Sequence, residues 1–348
     1  IEGEPGDFTV TVKKKATYVD YDKCTACELC VSKCPVKVPD EYNEGQNNRK
    51  AIYLAFPQAV PRVFTIDAEH CLYLTKGKCG NCQKACENDA INFEDTDKEV
   101  DINVGSVILN TGFEPYDASN LEQYRIDHPN VVTSLEFERQ LSSSGPFEGH
   151  VTLADGTHPK NIAWIQCIGS RSPEIGRNTC SSVCCMYATK EAMVAMEHDL
   201  DLETTIFNID VRAFGKGFEE FYQKAKNEKG IRFINSRPSG VEVDPVTDNI
   251  SLKYEAEDGS GIKREEFDMI VLSIGLTPSK SSKNLAQIAG VEMDDNEFVK
   301  TKIDSPLETS KPGIFVCGAM QAPKDIPDTV ADASGAASKA SSLLSSVR

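Results

Sequence analysis

The sequence predicts an α/β chain: a large unit of alternating strands and helices, with a small cysteine-bound unit set into it. Three observations carry this. From Asp101 onward, short runs rich in β-branched residues alternate with segments of helix length, the pattern of a mostly parallel sheet covered by helices. Twelve of the thirteen cysteines fall into three groups of four, and two of those groups lie close together before residue 95. The chain has 348 residues, enough for two domains or for one with a large insertion.

Composition narrows the function. Hydrophobic residues make up 40% of the chain, charged residues 26%, and the net charge is −17. That balance argues against nucleic acid or an anionic membrane as partner, since both need a basic surface. No apolar run approaches the 18 or more residues of a membrane span. Residues 1–8 lack the basic flank and apolar core of a signal peptide, and Ile1 is not an initiator methionine. A disulfide framework is the reading for short secreted chains; a chain of this length predicts free thiols, hence a reducing compartment, the cytoplasm.

The elements follow in order. Asp101 to Gly112 reads as a buried strand ending in Thr111-Gly112. Ile162 to Ile165 is a second strand, with a helix expected from Met186 to His198. Thr204 to Val211 is a strand, Gly217 to Glu228 a helix and Ile231 to Asn235 a strand. Gly240 to Glu266 alternates polar and apolar around Asp258-Gly259, the signature of an antiparallel hairpin or meander. Asp268 to Pro278 is a buried strand passing through Gly275, and Lys311 to Ala319 is another. Asp325 to Leu344, rich in Ala and Ser, is a helix opened by Ile326-Pro327.

The first cysteine group is Cys24, Cys27, Cys30 and Cys34, followed by Pro35; the second is Cys71, Cys79, Cys82 and Cys86. The first matches the bacterial ferredoxin run, in which the fourth cysteine serves the neighbouring cluster. On that rule Cys24, Cys27, Cys30 and Cys86 hold one 4Fe–4S cluster, and Cys34, Cys71, Cys79 and Cys82 hold another. A zinc ribbon would need only two Cys-x2-Cys pairs. The apolar segment from Ala51 to Phe64 is expected to pack against a neighbouring domain. The third group, Cys167, Cys180, Cys184 and Cys185, lies in a strand–turn–helix unit where a glycine-rich loop would cradle a dinucleotide. It reads as a cluster site in place of a nucleotide site. The odd cysteine, Cys317, reads as a small buried residue. No Gly-x-Gly-x-x-Gly run occurs in the chain.

The alternation resembles the two-dinucleotide-domain flavoprotein fold of the thioredoxin reductase and glutathione reductase group. That resemblance implies FAD beside Thr111, Gly112 and Gly275, and beside the late strand end Gly318-Ala319. An aspartate usual after that last glycine is absent, and Lys324 or Asp325 is the expected replacement. The helix beginning at Ile326 would aim its N-terminus at the ring. The implied domains are an FAD-binding domain in portions 1–17, 96–155 and 279–348, a two-cluster ferredoxin-like insertion at 18–95, and a second dinucleotide-type domain with its own cluster at 156–278.

The segments YVDYDKCTACELCVSKCP, VTSLEFERQL, IQCIGSR, CSSVCCMYATK, IDVRAFGKGFEEFY and PKDIPDTVADAS resemble the A subunit of heterodisulfide reductase, from Thr9 to the C-terminus. The resemblance implies three 4Fe–4S clusters and FAD. It also implies partner subunits of the B and C type, a ferredoxin, and a donor such as a hydrogenase, a formate dehydrogenase or a nicotinamide-oxidising enzyme, with the flavin splitting electron pairs. It places Lys190 near the flavin ring, with Glu136 as its partner and Glu138 the alternative. The N-terminal cluster domain, the glycine-rich FAD motif and the C-terminal ferredoxin domain of full-length members are not matched; a split gene, a shortened homologue and a partial chain all account for this. The competing readings are a flavin-free electron-transfer module, a quinone-linked relative and a pyridine-nucleotide disulfide reductase.

Overall fold

The computed structural model describes residues 1–347. The chain divides into two compact units: one combines Ile1–Val10, Asn103–Leu141 and the chain from Gly149 onward, and the other combines Thr11–Ile102 with Ser142–Glu148.

At the centre of the larger unit is a five-stranded parallel sheet. Its spatial order is Val131–Thr133, Met269–Ile274, Asn161–Ile168, Glu203–Asn208, Arg232–Asn235. Met269–Ile274 is buried along its whole length, and Asn161–Ile168 at every position but the first, as expected of parallel strands covered on both faces. Side chains alternate between those faces. Ile162, Trp164, Ile206, Met269 and Val271 pack against Phe137, Ala188, Ala192 and Ala225, which come from the helices Ser134–Leu141, Cys184–His198 and Phe218–Asn227. On the other face Ala163, Ile165, Phe207, Ile270 and Leu272 pack against Val241, Ile250, Leu252, Tyr254 and Phe267. These last belong to an antiparallel meander of Val241–Val243, Ile250–Glu255 and Ile262–Phe267, the meander expected from Gly240 to Glu266.

A second sheet runs Thr301–Lys302, Ser305–Thr309, Ile314–Val316, Val107–Leu109, its last two strands parallel. The final helix, Ile326–Ser346, turns Ala336 and Ala340 onto it beside Phe315 and Cys317. A two-stranded ribbon, Phe113–Pro115 with Leu276–Pro278, links the two sheets of this unit.

Three expectations are corrected. The single strand from Asp101 to Gly112 is two, Lys98–Val104 and Val107–Leu109. The break falls at Gly105, where a Cβ would meet the tip of the Leu344 side chain from the final helix. The strand Val131–Thr133 and the helix Ser134–Leu141, expected with portion 96–155, are built into the layers of the parallel sheet. Their apolar positions match that sheet's helical face.

The third correction lies in the smaller unit. Ala51, Ile52 and Phe64, expected to face a neighbouring domain, are buried in that unit's own core with Val19, Ile66, Ala90, Ile91, Cys30 and Cys71. Around that core are short helices at Leu29–Lys33, Leu72–Lys76 and Asn81–Ala85, a single 3-10 turn at Glu41–Asn43 and two two-residue ribbons. So little regular structure around so many thiols leaves the core to be organised by whatever the thiols hold.

Candidate functional site: two thiol-ringed spaces, a third cysteine set and an apolar cavity

In the smaller unit, Cys24, Cys27, Cys30 and Cys86 ring one enclosed space, with Val19, Leu29, Phe64 and Ile91 completing the wall. Cys34, Cys71, Cys79 and Cys82 ring another, walled by Ile52, Ile66, Leu72 and Phe93. Backbone curvature brings the thiols inward. Ala26 and Glu28 take positive φ just before Leu29–Lys33, and Cys79 and Gly80 do so before Asn81–Ala85. Burial, with neighbouring thiols adding to it, pushes Cys30 up to about 11 and Cys82 up to about 12. Bare thiols so placed resist ionising; a positively charged inorganic core would reverse this. Among the described residues no three His, Cys, Asp or Glu side chains converge to hold a single metal ion. Thiols that surround a space suit a polynuclear cluster, whose corners they would each meet.

The third set gathers at the C-terminal edge of the parallel sheet. Cys167, the penultimate residue of the strand Asn161–Ile168, has φ of 63°. Cys184 and Cys185 open the helix Cys184–His198, so the positive end of its dipole faces the thiols. The Cys184 Sγ lies 3.8 Å from the Ile274 carbonyl oxygen, and Cys185 Sγ is 3.8 Å from that of Asp210. Cys180 Sγ accepts from the Ser182 N–H at 3.3 Å. Burial raises the thiols of Cys167 and Cys184 and pushes Cys185 to about 11, and Cys167 and Cys180 add to the rise at Cys184 and Cys185. The Arg171 guanidinium, paired with Asp210, opposes the rise at Cys167. Gly169, with φ of 74°, lets the loop pass Tyr116, whose ring a Cβ would overlap.

Beside this set lies a cavity of about 730 Å³, within the range of small-molecule sites. Gly112, Lys190, Gly275, Gly318, Ala319, Lys324, Asp325 and Ile326, all expected near a flavin, line it together with Cys317. Thr111 does not: its hydroxyl is 2.7 Å from Ser282 Oγ. Phe113, Leu135, Met186, Pro327 and Val330 make the wall largely apolar. The Asp325 carboxylate caps the final helix by accepting from the Asp328 N–H at 2.9 Å. Lys324 forms a mostly buried ion pair with Asp332, and Asp332 accepts from the Gly318 N–H at 3.3 Å. Of the two glutamates weighed as partner of Lys190, Glu138 takes the place. Glu136 instead accepts from the Thr133 N–H at 2.6 Å, closing the first turn of its helix.

Two wall residues went unread in the sequence. Tyr187 donates to the Ile274 carbonyl at 2.7 Å and touches Cys184. Glu191, only 2% exposed, accepts from Trp164 Nε1 at 2.9 Å. Burial holds its carboxyl well above the usual range; Trp164 and Lys190 oppose this and Glu138 adds to it. Cys184, Tyr187 and Glu191 are spaced i, i+3, i+7, one face of a helix, and that spacing was the available signal. Asp332 gave none, because its role depends on a partner eight residues earlier across a helix cap.

An apolar cavity with glycine-lined walls, a lysine and a helix N-terminus fits a planar, electron-accepting ring such as the isoalloxazine of FAD. Fold and thiol sets together define an oxidoreductase chain of the iron–sulfur flavoprotein class. Residues 185–337 match the family model for pyridine nucleotide-disulphide oxidoreductase, and residues 17–40 match that for the 4Fe-4S binding domain. Along 98% of its length the chain is 42% identical to the iron-sulfur A subunit of the CoB–CoM heterodisulfide reductase of Methanocaldococcus jannaschii, covering 52% of that protein. It is 40% identical, over 98% of its length, to the A subunit of the H2:CoB-CoM heterodisulfide,ferredoxin reductase of Methanothermobacter thermautotrophicus, covering 51% of it. Among solved structures, the thioredoxin reductase of Lactococcus lactis is 17% identical and matches 85% of this chain and 86% of its own with a TM-score of 0.45. The chain thus belongs to the family of heterodisulfide reductase A subunits, and spans about half the length of the curated relatives it matches.

Proposed function

We propose that this chain carries electrons between FAD and iron–sulfur clusters as part of a heterodisulfide reductase-type complex. One observation carries the reading: the helix Cys184–His198 serves both sites, with Cys184 and Cys185 in its first turn and Tyr187, Lys190 and Glu191 on the cavity wall. Thr111 drops out of the flavin set and Glu138 replaces Glu136. The twelve grouped cysteines hold three 4Fe–4S clusters in the sets read from the sequence. Bound FAD supplies the ability to exchange electrons singly or in pairs. Around it, Lys190 presents a cation whose charge Glu138 balances, the apolar wall excludes water, and Tyr187 fills the space between the cavity and Cys184.

The names of relatives mention hydrogen, formate, ferredoxin and the CoB–CoM disulfide. On that basis the partners include a hydrogenase- or formate-dehydrogenase-type donor and a ferredoxin; the resemblance to the family adds B and C type subunits, a cytoplasmic place and the flavin as the point where electron pairs divide. The test is the composition of the native complex. Three clusters give about 12 iron atoms per chain, with one FAD. Full iron without flavin would favour the flavin-free module, the reading to which the missing glycine-rich run points. About 8 iron atoms, with Cys184 and Cys185 titrating as thiols, would remove the third cluster.

A further inference from the structure

Glu191 stands apart from the other charged groups of the cavity. Lys190 and Glu138 satisfy each other, and Lys324 and Asp332 do the same. Glu191 lines the same cavity, yet among the described residues its one hydrogen bond comes from Trp164 Nε1, at 2.9 Å. Trp164 is fully buried on the parallel sheet, edge-on to Phe137 with ring centroids 5.2 Å apart. A carboxylate there would be an anion without a bonded cation, an arrangement that burial penalises heavily. The charged and titratable groups facing it are Lys190 and Tyr187 on its own helix and Glu138 on the neighbouring helix. Only Lys190 is cationic, and it is engaged.

We propose that Glu191 is a proton store for the cavity: a neutral carboxylic acid in the resting chain that gives its proton to a planar redox ring beside Lys190 as the ring takes up electrons. This rests on the reading that the cavity holds FAD. In the step the O–H bond of Glu191 breaks, and its proton goes to a basic ring nitrogen. The electron comes from an iron–sulfur cluster, which is thereby oxidised. The carboxylate left behind keeps the Trp164 N–H and draws Lys190 away from Glu138. Reoxidation of the ring returns the proton; while the ring is reduced, the added negative charge sits on the Glu191 carboxylate beside Lys190 rather than on the ring among apolar walls. A glutamate serving only as acceptor for Trp164 would exchange no proton.

The experiment is redox-induced infrared difference spectroscopy on the holo-complex, with flavin content measured first. In the wild type, reduction should bleach the carbonyl band of a protonated carboxylic acid that shifts in D2O. Glu191→Gln with flavin bound should lack that band, and its flavin midpoint potential, nearly independent of pH in the wild type because the proton comes from within the cavity, should depend more steeply on pH near neutrality as the ring draws its proton from solvent. Trp164→Phe, which leaves Glu191 in place, should move the band to higher frequency. No such band in the flavin-replete wild type overturns the proposal, as does a band unchanged in Glu191→Gln or unmoved in Trp164→Phe. A wild-type complex without flavin overturns the FAD reading itself, and the proton store with it.

Discussion

Asp332→Ala isolates the contact that braces the cavity floor. Lys324 is paired with Asp332, the two side chains being 10% and 23% exposed, and the same carboxylate accepts from the Gly318 N–H. Removing one partner of a mostly buried pair leaves the other charge uncompensated, at about 3–5 kcal/mol. Lys324 also reaches the Gln321 side chain, which places the expected loss near the lower bound, about 3 kcal/mol. Replacing both partners, Lys324→Met with Asp332→Leu, removes the charge that was stranded and should recover most of that loss. A double-mutant cycle by urea unfolding, at fixed flavin and salt, measures this. A loss below about 0.5 kcal/mol for Asp332→Ala, the level of an exposed pair, would refute the argument. So would a double variant no better than the single one.

Three further outcomes are expected. Gly169→Ala forces a Cβ into the Tyr116 ring at a positive φ; iron should fall from about 12 to about 8 per chain, with recovery in Gly169→Ala/Tyr116→Ala if the clash is the cause. Cys86→Ser should remove the cluster of Cys24, Cys27 and Cys30 and spare that of Cys71, Cys79 and Cys82, as read by electron paramagnetic resonance; loss of the second set alone would reverse the pairing. Glu308, tied to Lys302 and Lys339, has its carboxyl lowered to about 2. Its folded value lies below the unfolded one, so its stabilisation is complete above about pH 4.3 and disappears as pH falls toward 2. The stability gap between wild type and Glu308→Gln should therefore narrow from about pH 6 to about pH 3, and a constant gap would assign the loss to packing.

What the sequence made legible was what depends on spacing alone. The two crossed cysteine sets follow from their intervals, and the structure rings one space with each. The meander and the long helices follow from periodicity. Position in space was harder. Glu136 and Glu138 lie two apart on one helix, so they point to different sides, and only the packing of that helix decides which meets Lys190. Thr111 carries the expected motif and its neighbours Asn110 and Gly112 line the cavity, but its own hydroxyl is held by Ser282. Gly105, where the expected single strand breaks, lies against Leu344 at the far end of the sequence, a contact no local pattern could announce.

The helix that begins at Cys184 also works as a ruler. Lys190 stands six residues after Cys184, which at 1.5 Å per residue is about 9 Å along the axis. That spacing is set by the hydrogen bonds of the helix itself, so substitutions elsewhere in the unit should leave it unchanged. The same rigidity makes its register unforgiving. One residue inserted after Cys185 would turn everything beyond it by about 100° and carry Lys190 and Glu191 off the cavity wall, while the thiols stayed where they are. Such a variant would separate the conduit from the chemistry it feeds without altering any residue of either.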